Sequence, residues 1–367
     1  MKSVRRIPRL VFEAGGMLLV VLSVLVGYRR RRGTHDDLVL DECPLVESTS
    51  LVGRALARSA IHERVLFAYV SLLLLAVICG AGEGRLLAAA FVGADMAMLA
   101  AAVIALRAEL IENRFAASVL ARLIVFGTLI VTFLQLDVIL PAARNRTVDA
   151  TLYALDLKVF GFEPAVVLDR WVNPVATEWF AFFYFSYFVV LAVHVFPFMI
   201  LERRTRLIGE FALGMVTVYC IGHVTYLLFP GFGPYHSLTF EHALRGGTWW
   251  HVVQSGAGAI HESARTDIFP SLHTAGPLFI ALFSFRNRAL KPFAHTWPIV
   301  ALFSTQIILA TMYLRWHYLI DVIAGIALAI GADRVARHAS AEAVWCPLRP
   351  TELLQPSTSK SSDDPTR

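Results

Sequence analysis

Residues 269–286 read Phe269-Pro270-Ser271-Leu272-His273-Thr274-Ala275-Gly276-Pro277-Leu278-Phe279-Ile280-Ala281-Leu282-Phe283-Ser284-Phe285-Arg286, a polar phrase at the mouth of an apolar run. A second phrase of the same kind, Arg315-Trp316-His317-Tyr318-Leu319-Ile320-Asp321, opens the next-but-one apolar run. Histidine and aspartate are costly at the ends of membrane-length helices, so chemistry is the first expectation for them. His317 and Asp321 are four positions apart and share one face if the segment is helical. A carboxylate there holds an imidazole in one tautomer and favours its charged form. Pro270 is a favoured helix starter, and the N–H groups after it, with the Ser271 hydroxyl, make a natural cradle for an anion.

The surrounding chain is a membrane protein by composition. Of its 367 residues, 57% are hydrophobic and 17% charged, with mean hydropathy +0.61. A soluble domain carries about 25% charged residues. Apolar runs of membrane length recur at roughly 10–28, 64–82, 86–106, 119–140, 178–201, 207–229, 271–286, 297–315 and 317–336. No alternating strand pattern recurs, which leaves an all-α transmembrane bundle and argues against a barrel. The net charge of +5 lies in arginine-rich loops, without the basic, aromatic-bearing domain that nucleic-acid binding requires. Cys43, Cys79, Cys220 and Cys346 have no metal-ligand spacing.

Three regions are expected: N-terminal membrane segments and a charged linker over 1–118, a six-helix core over 119–338, and a polar, disordered tail over 339–367. Arg107, Arg114, Arg203, Arg204, Arg206, Arg286, Arg288, Lys291, Arg334 and Arg337 fall on one side if the nine spans alternate, which makes that side cytoplasmic. His273 and His317 then face outward, together with the loops 141–177 and 231–268. This orientation puts the basic N-terminus outside, so either the segment 10–28 does not span or its arginines are outvoted.

His317 and His273 at one membrane depth suit phosphoryl transfer through a phosphohistidine. His317 attacks, Asp321 orients it, and His273 protonates the departing alkoxide. N–H and basic donors neutralise the phosphate, so neither a metal nor a cofactor is expected. These residues resemble the type-2 phosphatidic acid phosphatase superfamily, whose later motifs are P-S-G-H and S-R-x5-H-x3-D. They resemble more closely its inositol-phosphorylceramide synthase-like branch, in which Leu replaces the glycine and the arginine is absent. The resemblance covers about 119–336 and implies a His273–His317–Asp321 triad. Asp156-Leu157-Lys158-Val159-Phe160-Gly161-Phe162-Glu163-Pro164 supports it more weakly.

Two departures stand out. Where the superfamily's first motif has Lys and Arg-Pro, this chain has Phe229-Pro230-Gly231-Phe232-Gly233-Pro234-Tyr235-His236. At the second-motif arginine position it has Thr311. Phosphate binding is therefore expected from Ser271 with Arg315, His236, or Arg245 and Arg265. Arg315 reads equally as a headgroup anchor. The function expected from the resemblance is a lipid phosphotransferase of inositolphosphotransferase type. It would take a phospholipid donor and a hydroxyl acceptor, in a bacterial plasma membrane with an extracytoplasmic site. Water as acceptor gives a lipid phosphate phosphatase, and a non-enzymatic lipid-binding or transport protein is the alternative from another class.

Blander readings apply elsewhere. His194 and His223 read as interhelical hydrogen-bond residues, and Tyr235 and Tyr313 as aromatic-belt residues. His236, His242, His251 and His261 do not place two ligands on one helical turn. The stretch 231–268 reads as a solvated, glycine-hinged lid with Trp249 and Trp250 in lipid. Asp95 and Asp137 are unassigned.

Overall fold

The computed structural model describes residues 50–144, 146–200, 205–261 and 266–343. The segment 10–28 and most of the tail lie outside the described residues. Within them the chain is all-helical, with no strand. A short helix α1 (Leu51–Ala57) precedes an N-terminal hairpin of α2 (Ile61–Cys79) and α3 (Arg85–Arg107). Next, α4 (Arg114–Arg122) runs through one π-helical turn, Leu123–Gly127, into α5 (Thr128–Leu134), and α6 (Leu136–Ala143) follows. The loop on the site side folds into α7 (Asp149–Phe160) and α8 (Pro164–Leu168). Two long helices follow, α9 (Pro174–Ile200) and α10 (Thr205–Leu228), then a single turn, α11 (Pro234–Ser237), and α12 (Thr248–His261). The site helices close the chain: α13 (Leu272–Arg286), α14 (Phe293–Tyr313) and α15 (Leu319–Ala343).

Among the described residues, six helical stretches are long and apolar enough to cross a membrane: Ile61–Cys79, Arg85–Arg107, Phe115–Leu134, Pro174–Pro197, Arg206–Leu228 and Phe293–Tyr313. The expected span 119–140 is thus shifted toward the N-terminus. Asn113 fixes its start by accepting the Phe115 and Ala116 amides, and the helix breaks at Gln135. The expected spans 271–286 and 317–336 form helices that differ from the other six. α13 has only 15 residues, and α15 carries Asp321, Asp333 and Arg334 along its length. Both pack inside the bundle, where α13 contacts α14 and α15 and α15 contacts α10. Asp321 and Asp333 are therefore buried against protein, while Arg334 is exposed.

Lipid is as apolar as leucine, so close packing holds such a bundle together more than apolar transfer does. Phe211, Phe279, Phe283 and Phe293 are fully buried between α10, α13 and α14, with Phe283 edge-on to Phe211 at 5.2 Å and to Phe293 at 5.6 Å. Ion pairs tie the helices at the end away from His273. Arg286 of α13 bridges Glu210 of α10 (2.5 Å) and Asp333 of α15 (3.1 Å). In the N-terminal hairpin, Arg107 pairs with Glu63 at 2.8 Å, both buried. A buried pair of this kind costs several kcal/mol if one partner is removed, which fixes the register of α2 against α3.

The stretch 231–268 is more ordered than a solvated lid. Among its described residues α12 packs along α9, and Trp250 is 3% exposed inside a cluster with Ala181, Tyr184 and Tyr313. Trp249 lies edge-on to Phe182 at 5.2 Å. Both indoles therefore pack on protein, and the reason is a remote cap. Glu178 of α9 accepts the amides of Gly247 (2.7 Å), Trp249 (2.7 Å) and Trp250 (3.1 Å), which satisfies the open N-terminus of α12. Tyr313 is likewise 4% exposed and donates to the Trp171 carbonyl, so it is a packing residue and not part of an aromatic belt.

Candidate active site

Three chain segments meet at one end of the bundle: the start of α13, the turn from α14 into α15, and the loop 230–237. Ser271 is the N-cap of α13, fully buried, with its Oγ accepting the Thr274 amide at 3.3 Å. Its own amide donates to the Asp321 carbonyl at 3.0 Å, which ties the start of α13 to the first turn of α15. This approach needs a glycine. A Cβ on Gly325 of α15 would lie 2.5 Å from the Ser271 carbonyl oxygen and 3.1 Å from Thr274 Cβ.

His317 lies in the turn before α15, not on the helix itself, so its pairing with Asp321 does not come from a shared helical face. The turn is folded by the end of α14. The Thr311 carbonyl accepts the amides of Trp316 (2.9 Å) and His317 (3.2 Å). Thr311, at the position where the superfamily pattern has arginine, thus acts through its backbone. Asp321 then reaches back from the first turn of α15. Its Oδ2 accepts from His317 Nδ1 at 3.1 Å and from the Tyr318 amide at 3.1 Å. His317 is 4% exposed and Asp321 fully buried. With Nδ1 turned to the carboxylate, Nε2 is the nitrogen left for chemistry. His273 lies in the first turn of α13 with its ring centroid 5.8 Å from that of His317, and the Ile268 backbone borders the His317 ring.

Acidic residues of the site-side loop brace this arrangement. Asp156 of α7 is fully buried and accepts the amides of Leu319 (2.8 Å) and Ile320 (2.9 Å), so it caps α15 from another helix. Burial raises its carboxyl above the ordinary aspartate range, while those two amides pull the other way. Asp149 does the same for the loop before α11, accepting from Phe232 (3.0 Å) and Gly233 (2.8 Å). Glu163 caps α8 through the Val166 amide at 2.8 Å, and burial raises its carboxyl to about 7. Nearby Asp156 and Asp321 act in the same direction.

Arg315 has a positive φ of 67° and is 5% exposed. A non-glycine residue held there is a site of backbone strain. Its Nη2 donates to Asp169 Oδ1 at 2.5 Å and to the His242 carbonyl at 2.6 Å, and its guanidinium lies 3.9 Å from the Phe240 ring centre. Nε is buried without a hydrogen-bond partner. Burial alone would raise the Asp169 carboxyl, but hydrogen bonds from His242 and the Glu241 amide, with the Arg315 charge, hold it below its ordinary value.

The structure therefore brings His273, His317, Asp321 and Ser271 together, with Arg315 two residues before His317 and drawn toward Asp169. His236 and Arg245 are exposed, and His236 stacks on Phe232 at 4.5 Å. Arg265 lies outside the described residues. Asp169, Glu241 and His242 are the one group among the described residues close enough to share a metal ion. Arg315 already neutralises Asp169, so a cation there would meet a guanidinium.

Sequence reasoning missed Asp149, Asp169 and Glu178 and gave Asp156 little weight. It also missed Tyr184 and Tyr187 of α9, whose rings lie 4.6 Å and 4.4 Å from that of His273. No local signal marks a carboxylate that caps a helix far away in the chain. The tyrosines lie in an aromatic run, Phe180–Phe188, that reads as ordinary membrane packing. His223 behaves as expected, with its Nδ1 2.7 Å from the Tyr69 hydroxyl of another helix, whereas His194 Nδ1 lies 2.8 Å from the Val190 carbonyl of its own helix. Asp95 is buried beside Gln135 Nε2 at 3.3 Å.

Comparison with curated proteins and with solved structures gives no match. A family model does match, over residues 150–334, from α7 with its Asp156 cap through the triad to the ion pairs of α15, and it does not single out an inositol-specific branch. That span is half of the chain, and the chain belongs to the PAP2 superfamily.

Proposed function

We propose that the protein is a lipid phosphotransferase of inositolphosphotransferase type that works through a phosphohistidine. The observation that carries the reading is the pairing of His317 with a fully buried Asp321 beside His273. His317 Nε2 attacks phosphorus, and the bond from phosphorus to the departing oxygen breaks. Asp321 stabilises the positive charge on the imidazole as the bond forms. His273 gives its proton to the leaving alkoxide, then takes one from the incoming hydroxyl when that oxygen attacks the phosphohistidine. Superfamily membership supports phosphatase-type chemistry on lipid phosphoesters. Transfer to a hydroxyl acceptor is the finer part of the proposal.

The phosphate oxygens are met by donors of four kinds. The first-turn amides of α13 face the developing charge with the positive end of the helix behind them. Ser271 keeps its hydroxyl hydrogen while its oxygen caps the helix. Arg315 retains a buried, unpartnered Nε that a phosphate oxygen would satisfy. His236 stands at the exposed rim. This set needs no metal ion. The clustering of loop arginines on the opposite end supports an extracytoplasmic site in a plasma membrane.

The test uses purified full-length protein in micelles with short-chain phosphatidic acid and phosphatidylinositol as probes. We expect a phosphoprotein that survives alkali and is lost in acid, absent in His317→Ala, and chased by an alcohol acceptor into a phosphomonoester when phosphatidic acid is the donor and into a new phosphodiester when phosphatidylinositol is. Chelator-treated protein should behave identically. Release of inorganic phosphate with no capture by alcohols would make it a phosphatase. Unchanged turnover in His317→Ala would overturn the enzymatic reading and leave a lipid-binding or transport protein.

A further inference from the structure

Tyr184 and Tyr187 are three positions apart on α9 and share one face of the helix. They are 6% and 4% exposed, and both rings meet the His273 imidazole. Tyr184 lies nearly parallel to it, at 4.6 Å and 18°, and Tyr187 is tilted, at 4.4 Å and 41°. The Tyr187 hydroxyl is fixed in turn by a buried 2.9 Å hydrogen bond to the Tyr219 hydroxyl of α10. Tyr219 reaches this position because α13 has a glycine one turn after His273. A Cβ on Gly276 would lie 2.6 Å from the Tyr219 oxygen. Three helices thus converge to place two electron-rich rings against one imidazole.

We propose that Tyr184 and Tyr187 are positioning residues that form an aromatic cradle holding His273 as the imidazolium, the form in which it donates a proton to the leaving group. This rests on the reading of His273 as the general acid. The physics is that of a cation over ring faces. A cation within about 6 Å of an aromatic centre is attracted by the ring quadrupole, more so where water is excluded. An imidazole in such a setting otherwise loses its proton to desolvation. The cradle also fixes the ring plane, which an acid needs if its proton is to meet one particular oxygen. The His317 ring from the turn before α15 faces His273, while Tyr219 and Tyr226 of α10 and Asp267 from the loop before α13 interact with the cradle tyrosines. Asp267 acts electrostatically on both cradle tyrosines and on His317. Tyr184 also faces Trp316 at 6.0 Å, so the cradle borders the nucleophile's turn.

The experiment is histidine-selective isotope labelling of the full-length protein in micelles. The His273 resonance is assigned by its loss in His273→Gln and titrated by nuclear magnetic resonance. Tyr184→Leu should shift the His273 protonation equilibrium about fivefold toward the neutral ring, the size of a partly buried cation–π contact. Tyr184→Phe, which keeps the ring, should titrate as wild type. Tyr187→Phe keeps its ring but frees it from Tyr219, and should shift the equilibrium less than Tyr184→Leu does. With phosphatidic acid as probe, the alkaline limb of the kcat profile should move down in pH in Tyr184→Leu. If Tyr184→Leu does not fold, Tyr184→Met and Tyr187→Leu replace it with the same expectation. A His273 titration identical in wild type and the ring-deleting variants overturns the cradle. A shifted titration with turnover indifferent to His273→Gln supports the cradle and overturns the acid role instead.

Discussion

Replacing Asp156 by Ala should disable the site without touching the triad. Its carboxylate holds the Leu319 and Ile320 amides at 2.8 and 2.9 Å, and those amides belong to the opening turn of α15. A hydrogen bond to a charged acceptor contributes about 1.5–3 kcal/mol, and a helix start has few other partners for these donors. Losing both costs about 3–5 kcal/mol, most of it local to residues 317–321. Asp321 reaches His317 only because that turn is folded, so fraying it releases the imidazole from its carboxylate. At about 1.4 kcal/mol per factor of ten, turnover should fall about 100-fold or more. Asp156→Asn keeps one acceptor oxygen and loses the charge, so it should cost about 1–2 kcal/mol and roughly tenfold in rate. The assay is release or transfer of phosphate from short-chain phosphatidic acid in micelles, with thermal unfolding on the same samples. Glu178→Gln is the control. It weakens a cap of the same kind on α12, away from the triad, and should lower the melting temperature comparably while sparing most turnover. Wild-type turnover and melting in Asp156→Ala would refute the view that this cap organises the nucleophile's turn.

Three other outcomes are expected. Asp321→Asn preserves shape but removes the charge that favours the Nδ1–H tautomer, so turnover should fall at least about 1000-fold with little change in melting temperature. Gly325→Ala puts a methyl 2.5 Å from the Ser271 carbonyl and should destabilise by about 1–3 kcal/mol, whereas Gly331→Ala, on the same helix with nothing within 4 Å, should be neutral or slightly stabilising by thermal unfolding. Glu163 has a folded pKa of about 7, above its ordinary 4.5, so the folded state binds more protons between those values. The contribution of Glu163 to stability should therefore be full below about pH 4.5 and fall by at most about 3 kcal/mol as pH rises through 7, a slope that Glu163→Gln removes in melting curves taken from pH 5 to 8.

The helical bundle was legible because membrane spans announce themselves by length and apolarity, and the proximity of His273, His317 and Asp321 because their two phrases interrupt those runs. What escaped was set by distance along the chain. Asp156 is separated from Leu319 by 163 positions, and Glu178 from Trp249 by 71. A carboxylate in an interfacial loop looks the same whether it faces water or closes a remote helix. The lid reading failed on this point, because composition shows glycines and histidines but not the cap that makes α12 a packed helix. The His317–Asp321 pair was foreseen, yet for a different reason. Spacing suggested two residues on one helical face, whereas the first residue lies in a turn and the second reaches back to it. Thr311 shows the same limit: the side chain is not arginine, and the contribution comes from a carbonyl.

The acids around the site also explain how phosphate chemistry can proceed on a face so rich in carboxylates. Asp149, Asp156 and Glu178 each accept at least two backbone amides, and Asp169 is met by Arg315 and the Glu241 amide. N–H dipoles and one guanidinium that are part of the fold thus partly offset their charges. Those amides are the open ends of α11, α12 and α15 and the loop before α12, so each acid organises a wall of the site while being neutralised by it. The superfamily's first-motif lysine and arginine and its second-motif arginine are absent from the sequence positions that match them, and among the described residues the buried arginine beside His317 leans toward Asp169. A phosphate arriving here competes with Asp169 for Arg315 and draws on the α13 amides and the His273 proton for the rest. Positive charge that is shared in this way, and partly carried by a titrating histidine, ties the affinity for phosphate to the protonation of the group that must later give its proton away. On the proposed mechanism the same proton then serves binding and leaving-group departure, so the proposed aromatic cradle around His273 matters more in this chain than it would beside a full set of cationic side chains.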